Sequence, residues 1–137
     1  MTNPHMLDRD ALLGLRILIV DDEPVLASTF CLVLQFAGAY AQSSPHGRDA
    51  LDTLEQESFD LILCDKQMPV MAGPEFIREL NLRGDATPIL LFVNTADYNS
   101  MEQIRDLRIN GTITKPLLPG ELIATIRRTL NLDPMFP

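Results

Sequence analysis

Five short apolar runs, each separated from the next by a segment of helical period, restrict this sequence to one class of architecture. The runs are Arg16–Val20 and residues 39–43, 59–64, 88–93 and 112–114. They are strand-length and bounded by Gly, Pro and Asp, and three of them (Arg16–Val20, 59–64 and 88–93) are rich in Ile, Leu and Val, which marks them as strands rather than pieces of helix. Strands that alternate with helical segments imply right-handed βαβ crossovers and a parallel sheet. The expected fold is therefore a doubly wound, five-stranded parallel α/β sheet with helices on both faces. The near-continuous apolarity of 88–93 (PILLFV) places that strand centrally, and Arg16–Val20 reads as a strand buried on both faces. The run at 39–43 is more polar and belongs nearer an edge.

Backbone chemistry punctuates the helical segments. Pro24 opens the first, which carries Leu26, Phe30, Val33, Leu34 and Ala37 on one side and closes at Gly38. Further helices are expected over 48–56, 74–82, 99–109 and 119–130, which makes five helices to five strands. Residues 15–131 form the expected domain, with an extension at 1–14 and a tail at 132–137 that has two prolines and no periodicity.

Composition narrows the function. With 19 acidic against 11 basic residues, the net charge of −8 argues against a nucleic-acid surface, whose affinity depends on neutralising phosphates. No apolar stretch approaches the ~18 residues of a spanning helix, so no membrane association is expected. Asp8, Arg9 and Asp10 stand where a signal peptide needs an apolar run. The two cysteines, Cys31 and Cys64, lack metal-ligand spacing and sit in apolar runs, as reduced thiols do in the cytoplasm.

In doubly wound sheets, sites form at the carboxyl ends of the strands. Asp21, Asp22 and Glu23 follow the first strand, Asp65 the third and Lys115 the fifth. Carboxylates gathered at one edge repel one another and call for a cation; a hard divalent ion such as Mg²⁺ suits oxygen ligands. Lys115 adds a point charge. The set suits a phosphoryl group carried on Asp65, since a carboxylate nucleophile can form an acyl phosphate.

These residues, in this order, resemble the receiver domain of bacterial two-component response regulators, a flavodoxin-like fold. The matching stretches are Ile17-Leu18-Ile19-Val20-Asp21-Asp22-Glu23-Pro24, Asp60-Leu61-Ile62-Leu63-Cys64-Asp65 with Met68-Pro69 and Gly73, and Lys115-Pro116. The resemblance implies that Asp65 is the phospho-acceptor and that Lys115 contacts the phosphoryl group. It implies Mg²⁺ held by Asp21, Asp22, Asp65 and the main-chain carbonyl of Gln67, and a Lys115–Pro116 bond that is cis, at small cost only before proline. The implied partners are a histidine kinase or phosphotransfer protein, and an effector domain or downstream protein. A homodimer through the fourth helix, the fifth strand and the last helix is a further expectation from the family.

The sequence departs from that pattern in its switch region. Read without a gap, the Ser or Thr that normally ends the fourth strand is Val93, and the small residue after it is Asn94; Thr95-Ala96 look like the same pair displaced by two. The gapless reading keeps Gly111 and Lys115 in register. Thr112 stands where the family carries an aromatic ring. These departures keep open a second reading, a pseudo-receiver that acts as a constitutive interaction module. An aspartyl phosphatase of the haloacid-dehalogenase type wants a second Asp two residues after the nucleophile, and that position is Gln67. A cofactor-binding flavodoxin relative needs a hydroxyl- or glycine-rich loop where this chain has a row of acids.

Overall fold

Alternation along each strand decides how the sheet is covered. The structure is a computed structural model and describes residues 9–94, 102, 104–115 and 118–132. Strands β1 (Arg16–Val20), β2 (Tyr40–Ser44), β3 (Leu61–Asp65), β4 (Ile89–Asn94) and β5 (Gly111–Lys115) pair in parallel in the order β2-β1-β3-β4-β5. Ile17, Ile19, Leu61, Leu63, Leu90, Phe92 and Ile113 point to one face, under helices α1 (Pro24–Phe36) and α4 (Pro119–Thr129). Leu18, Val20, Ile62, Cys64, Ile89, Leu91 and Val93 point to the other, under α2 (Gly47–Gln56) and α3 (Gly73–Leu82). Every second side chain thus feeds a different core, which is why the central strands read as apolar throughout.

Helix ends follow from local chemistry. At the end of α1, Gly38 takes φ +97°, its N–H donates to the Gln35 carbonyl, and the Ala39 N–H donates to that of Leu34. This is a Schellman closure, and it needs a residue that tolerates the left-handed region. His46 caps α2, its Nδ1 accepting from the Asp49 N–H at 3.2 Å. That explains a histidine with no metal-ligand companion.

The chain differs from the sequence expectation at one element. Of the helix expected over 99–109, residues 99–101 and 103 lie outside the described residues; among the others Glu102 and Ile104 are 3₁₀, where Arg105 N–H donates to the Glu102 carbonyl and Leu107 N–H to that of Ile104, and residues 105–109 are not helical. Of these residues only Ile104 is buried, with Leu107 and Ile109 partly covered. An apolar face that sparse gives a helix little packing to hold it, and short helices depend on packing rather than propensity. The described residues therefore carry four helices, not five. Residues 9–14, set apart by composition, pack on the α1/α4 side. Leu12 is fully buried and its N–H donates to the Ala37 carbonyl at 2.8 Å.

The strand order reverses at β1 and β3, whose neighbouring carboxyl ends open a crevice at that switch point.

Candidate functional site at the carboxyl edge of the sheet

The order of the strands carries three acids and a lysine to one edge. Asp21 follows β1, Asp65 ends β3 and Lys115 ends β5. Oxygens of Asp21, Asp22 and Asp65 lie within 4.8 Å of one another. Lys115 Nζ stands 3.3 Å from Asp21 Oδ2 and 3.6 Å from Asp65 Oδ1. Asp21 is buried, and its Oδ1 accepts from the Glu23 N–H at 2.9 Å, which fixes the acid at the start of α1. Asp65 Oδ1 accepts from the Lys66 N–H at 2.9 Å, leaving its other oxygen for chemistry. Beneath them the Lys115 ammonium lies 5.2 Å from the centre of the Phe92 ring, a favourable cation–π placement.

A pocket of roughly 480 Å³ opens over this group. Its lining includes Asp22, Asp65, Gln67, Val93, Asn94 and Lys115. Asp21, Asp22, Asp65, Gln67, Val93, Asn94 and Lys115 are therefore brought together, Asp21 through its ion pair with Lys115. Val93 is 9% exposed, a methyl-bearing wall of the pocket, and it pairs in register with Thr114. Asn94 is exposed and pairs with Lys115. Thr112 is exposed on β5, opposite Leu91, and is not among the residues lining the pocket. Thr95 and Pro116 lie outside the described residues. Sequence reasoning missed Lys66 and Phe92 as further lining residues. Lys66 is 4% exposed; β3 ends at Asp65, so the turn rather than the strand alternation directs the next side chain, and spacing gives no signal for it.

Burial raises the Asp65 carboxyl above its ordinary range. The negative charges of Asp21 and Asp22 add to that rise, while Lys115 and the Lys66 N–H oppose it. Burial likewise pushes the Cys64 thiol far up, with Asp65 and Asp21 contributing, so Cys64 stays protonated and is not a competing nucleophile.

A carboxylate whose folded pKa is raised holds its proton to higher pH in the native state than in the unfolded chain. Its contribution to stability is intact below the unfolded value and is lost as pH rises through the folded value. Asp65→Asn should therefore stabilise the metal-free protein at pH 7, with the difference from wild type shrinking as pH falls below the ordinary carboxylate range. Urea denaturation of both proteins in chelator, from pH 4 to pH 7.5, reads this directly. A destabilised Asp65→Asn at pH 7 would show that Lys115 outweighs burial and the neighbouring acids.

The donor set fits a hard divalent cation. The group consists of carboxylate oxygens, it is crowded, and Lys115 is the one cation shown paired with it among the described residues.

Comparison with known proteins agrees with this geometry. The family model of the response regulator receiver domain matches residues 17–127. The chain belongs to that family. It is 31% identical over 115 residues to the uncharacterized transcriptional regulatory protein YkoG of Bacillus subtilis, covering 84% of this chain and 50% of that one. It is 31% identical over 123 residues to the phosphate regulon transcriptional regulatory protein PhoB of Escherichia coli, covering 88% and 54%. Among solved structures it is similar to the chemotaxis protein CheY4 of Vibrio cholerae, at 29% identity and TM-score 0.78 over 84% of this chain and 98% of that one. The receiver domain spans about half the length of these two curated relatives. Receiver domains are regulatory phospho-acceptor modules of two-component signalling rather than conventional enzymes. Among the described residues, no helix of this receiver domain is long and apolar enough to cross a membrane.

Proposed function

We propose that this receiver domain takes a phosphoryl group onto Asp65 from a histidine kinase or phosphotransfer protein in the cytoplasm. The observation that carries the reading is the pairing of one Lys115 ammonium with both Asp21 and Asp65 at the mouth of a polar pocket. In the transfer, an Asp65 oxygen forms a bond to phosphorus as the bond to the donor breaks. That bond is P–N in a phosphohistidine, whose imidazole leaves and regains its proton, or P–O in acetyl phosphate, from which acetate leaves. Lys115 meets the charge on the phosphoryl oxygens and holds the group in line for attack. Asp21, Asp22, Asp65 and the main-chain carbonyl of Gln67 would hold Mg²⁺, which when bound supplies further neutralisation of the phosphoryl oxygens. Asp21, fixed by the Glu23 N–H, keeps Lys115 directed at Asp65 while the acceptor is free.

Incubation with acetyl phosphate and Mg²⁺ should add a single phosphoryl mass, labile to base and hydroxylamine. Asp65→Asn should abolish it, because an amide is a poor nucleophile. No added mass in the intact protein would leave the domain as a constitutive interaction module of receiver fold.

Val93 favours a weakened response over a full switch. A phosphoryl oxygen at that wall loses a charge-assisted hydrogen bond of roughly 1.5–3 kcal/mol, comparable to the gap that a two-state switch must bridge. A beryllofluoride mimic should therefore move the amide resonances of β5 only slightly, and Val93→Thr should enlarge that shift. A large shift in the unaltered protein would sink this part of the reading.

A further inference from the structure

Asp21, Lys66 and Arg127 are the buried charged residues among those described, and only Lys66 has a side chain without a partner there. Asp21 accepts from the Glu23 N–H and pairs with Lys115, and Arg127 donates to the carbonyls of Ala11 and Leu132. The main chain of Lys66 is satisfied, its N–H donating to Asp65 Oδ1 and its carbonyl accepting from the Gly73 N–H. Its side chain is 4% exposed, and the ammonium meets no acceptor among the described residues. That ammonium is not sealed in, because Ser44 Oγ is the only fully enclosed side-chain polar atom without a partner there. A buried charge with no counter-charge is costly, and an anion that reaches it removes the cost.

Lys66 stands between two pockets. It borders the pocket over Asp65, and it borders a second one of roughly 410 Å³ with Gln67, Pro74, Glu75 and Arg78. Lys115 pairs with Asp65, whereas Lys66 forms no ion pair with Asp65 or Asp22 among the described residues, so its charge serves the second pocket. That pocket lies at the N-terminus of α3, where Ala72 supplies no side-chain cap and the Glu75 N–H has no acceptor among the described residues. The open end of a helix carries a partial positive charge and unused donors. Arg78, on the next turn, lines the same pocket and forms no ion pair among the described residues. In a chain of net charge −8, two unpaired cations and a helix N-terminus converge on one cavity.

We propose that this pocket binds a small tetrahedral oxyanion of the phosphate type. The Lys66 ammonium, the Glu75 N–H and the Arg78 guanidinium are its donors. They come from the turn after β3, the end of α3 and the side of α3, so they approach from different directions. Such a set suits a tetrahedral anion better than a planar carboxylate, which a single guanidinium fork already satisfies. Glu75 is the one acid in the lining, and its carboxylate keeps the affinity modest. The site is separate from the acceptor carboxylate, and phosphate reaches it from solution. It is adjacent all the same: Lys66 and Gln67 line both pockets, so an occupied second pocket holds the segment that directly follows Asp65.

Amide NMR titration of the whole chain with inorganic phosphate, free of divalent metal and at an ionic strength held constant with NaCl, tests this. The resonances of Lys66, Gln67, Glu75 and Phe76 should move and saturate with a Kd on the order of 1 mM, while those of Asp22, Val93 and Lys115 stay. Lys66→Met should weaken binding at least about tenfold, the loss expected of a charge-assisted contact. That variant replaces an unpaired buried charge by an apolar chain of similar length, so the fold is retained, which a thermal melt verifies. Glu75→Gln should tighten binding about threefold by removing a like charge from the rim. Asp65→Asn should bind phosphate as the unaltered protein does, which keeps this result separate from the phospho-acceptor reading. No saturable shift up to about 20 mM phosphate would overturn the proposal, as would binding indifferent to Lys66→Met. Shifts centred on Asp22 and Lys115 would place the anion over Asp65 and overturn it equally. An acetate Kd equal to that of phosphate would overturn the tetrahedral assignment.

Discussion

Saturating Mg²⁺ is expected to raise the unfolding free energy of this receiver domain by about 1–3 kcal/mol, and Asp22→Ala to lose most of that gain. Asp21, Asp22 and Asp65 bring three carboxylates within 4.8 Å, and Lys115 pairs with Asp21 and Asp65. A divalent ion that binds only the folded arrangement stabilises it by mass action. Asp22 is exposed and has no hydrogen bond to the fold that would be lost on truncation among the described residues. Asp22→Ala should therefore change metal-free stability little while removing a ligand. Thermal melts of both proteins in chelator and in millimolar Mg²⁺ separate the two effects. An unchanged melting temperature in the intact protein would refute the metal assignment. Equal gains in both proteins would place the ion away from Asp22.

The second large effect belongs to Gly73. An added Cβ there would stand 2.3 Å from the Asp65 carbonyl oxygen and 3.0 Å from Lys66 Cα, both parts of the main chain. The Gly73 N–H donates to the Lys66 carbonyl at 3.0 Å, so the turn after β3 closes back on its own strand end. Flexible side chains can move aside, but here backbone must shift, and the backbone in question carries Asp65. Gly73→Ala should cost about 2–4 kcal/mol in urea denaturation and slow phosphorylation beyond what the loss of folded protein explains. A variant as stable as wild type would mean that the turn has another closed form.

Much of this was legible in the sequence, because strand ends and site residues coincide. Asp21, Asp65 and Lys115 each stand at or just after the last residue of an apolar run, so finding the strands found the site. Strand boundaries fell within two residues for the same reason, with Gly, Pro and Asp bracketing each run. Residues 99–109 were not legible, since a few apolar residues at helical spacing do not reveal whether anything packs on them. Leu12 was hidden by its setting between Asp10 and Gly14, where its burial depends on α1 and α4 from elsewhere in the chain. Lys66 was hidden by its place in a turn. The exposure of Val25, Leu32 and Phe36 on α1 was not legible either, because periodicity reports an apolar face without saying what stands on the opposite one.

The central claim is that Asp65 itself becomes the acyl phosphate, and locating the label tests it most directly. After reaction with acetyl phosphate and Mg²⁺, borohydride reduction converts an aspartyl phosphate to homoserine, which peptide mass mapping can place. The account predicts homoserine at position 65 alone, dependent on Mg²⁺ and absent in Asp65→Asn. Homoserine at Asp21 or Asp22, or a phosphoryl mass that persists in Asp65→Asn and maps to Ser43 or Ser44, would contradict it.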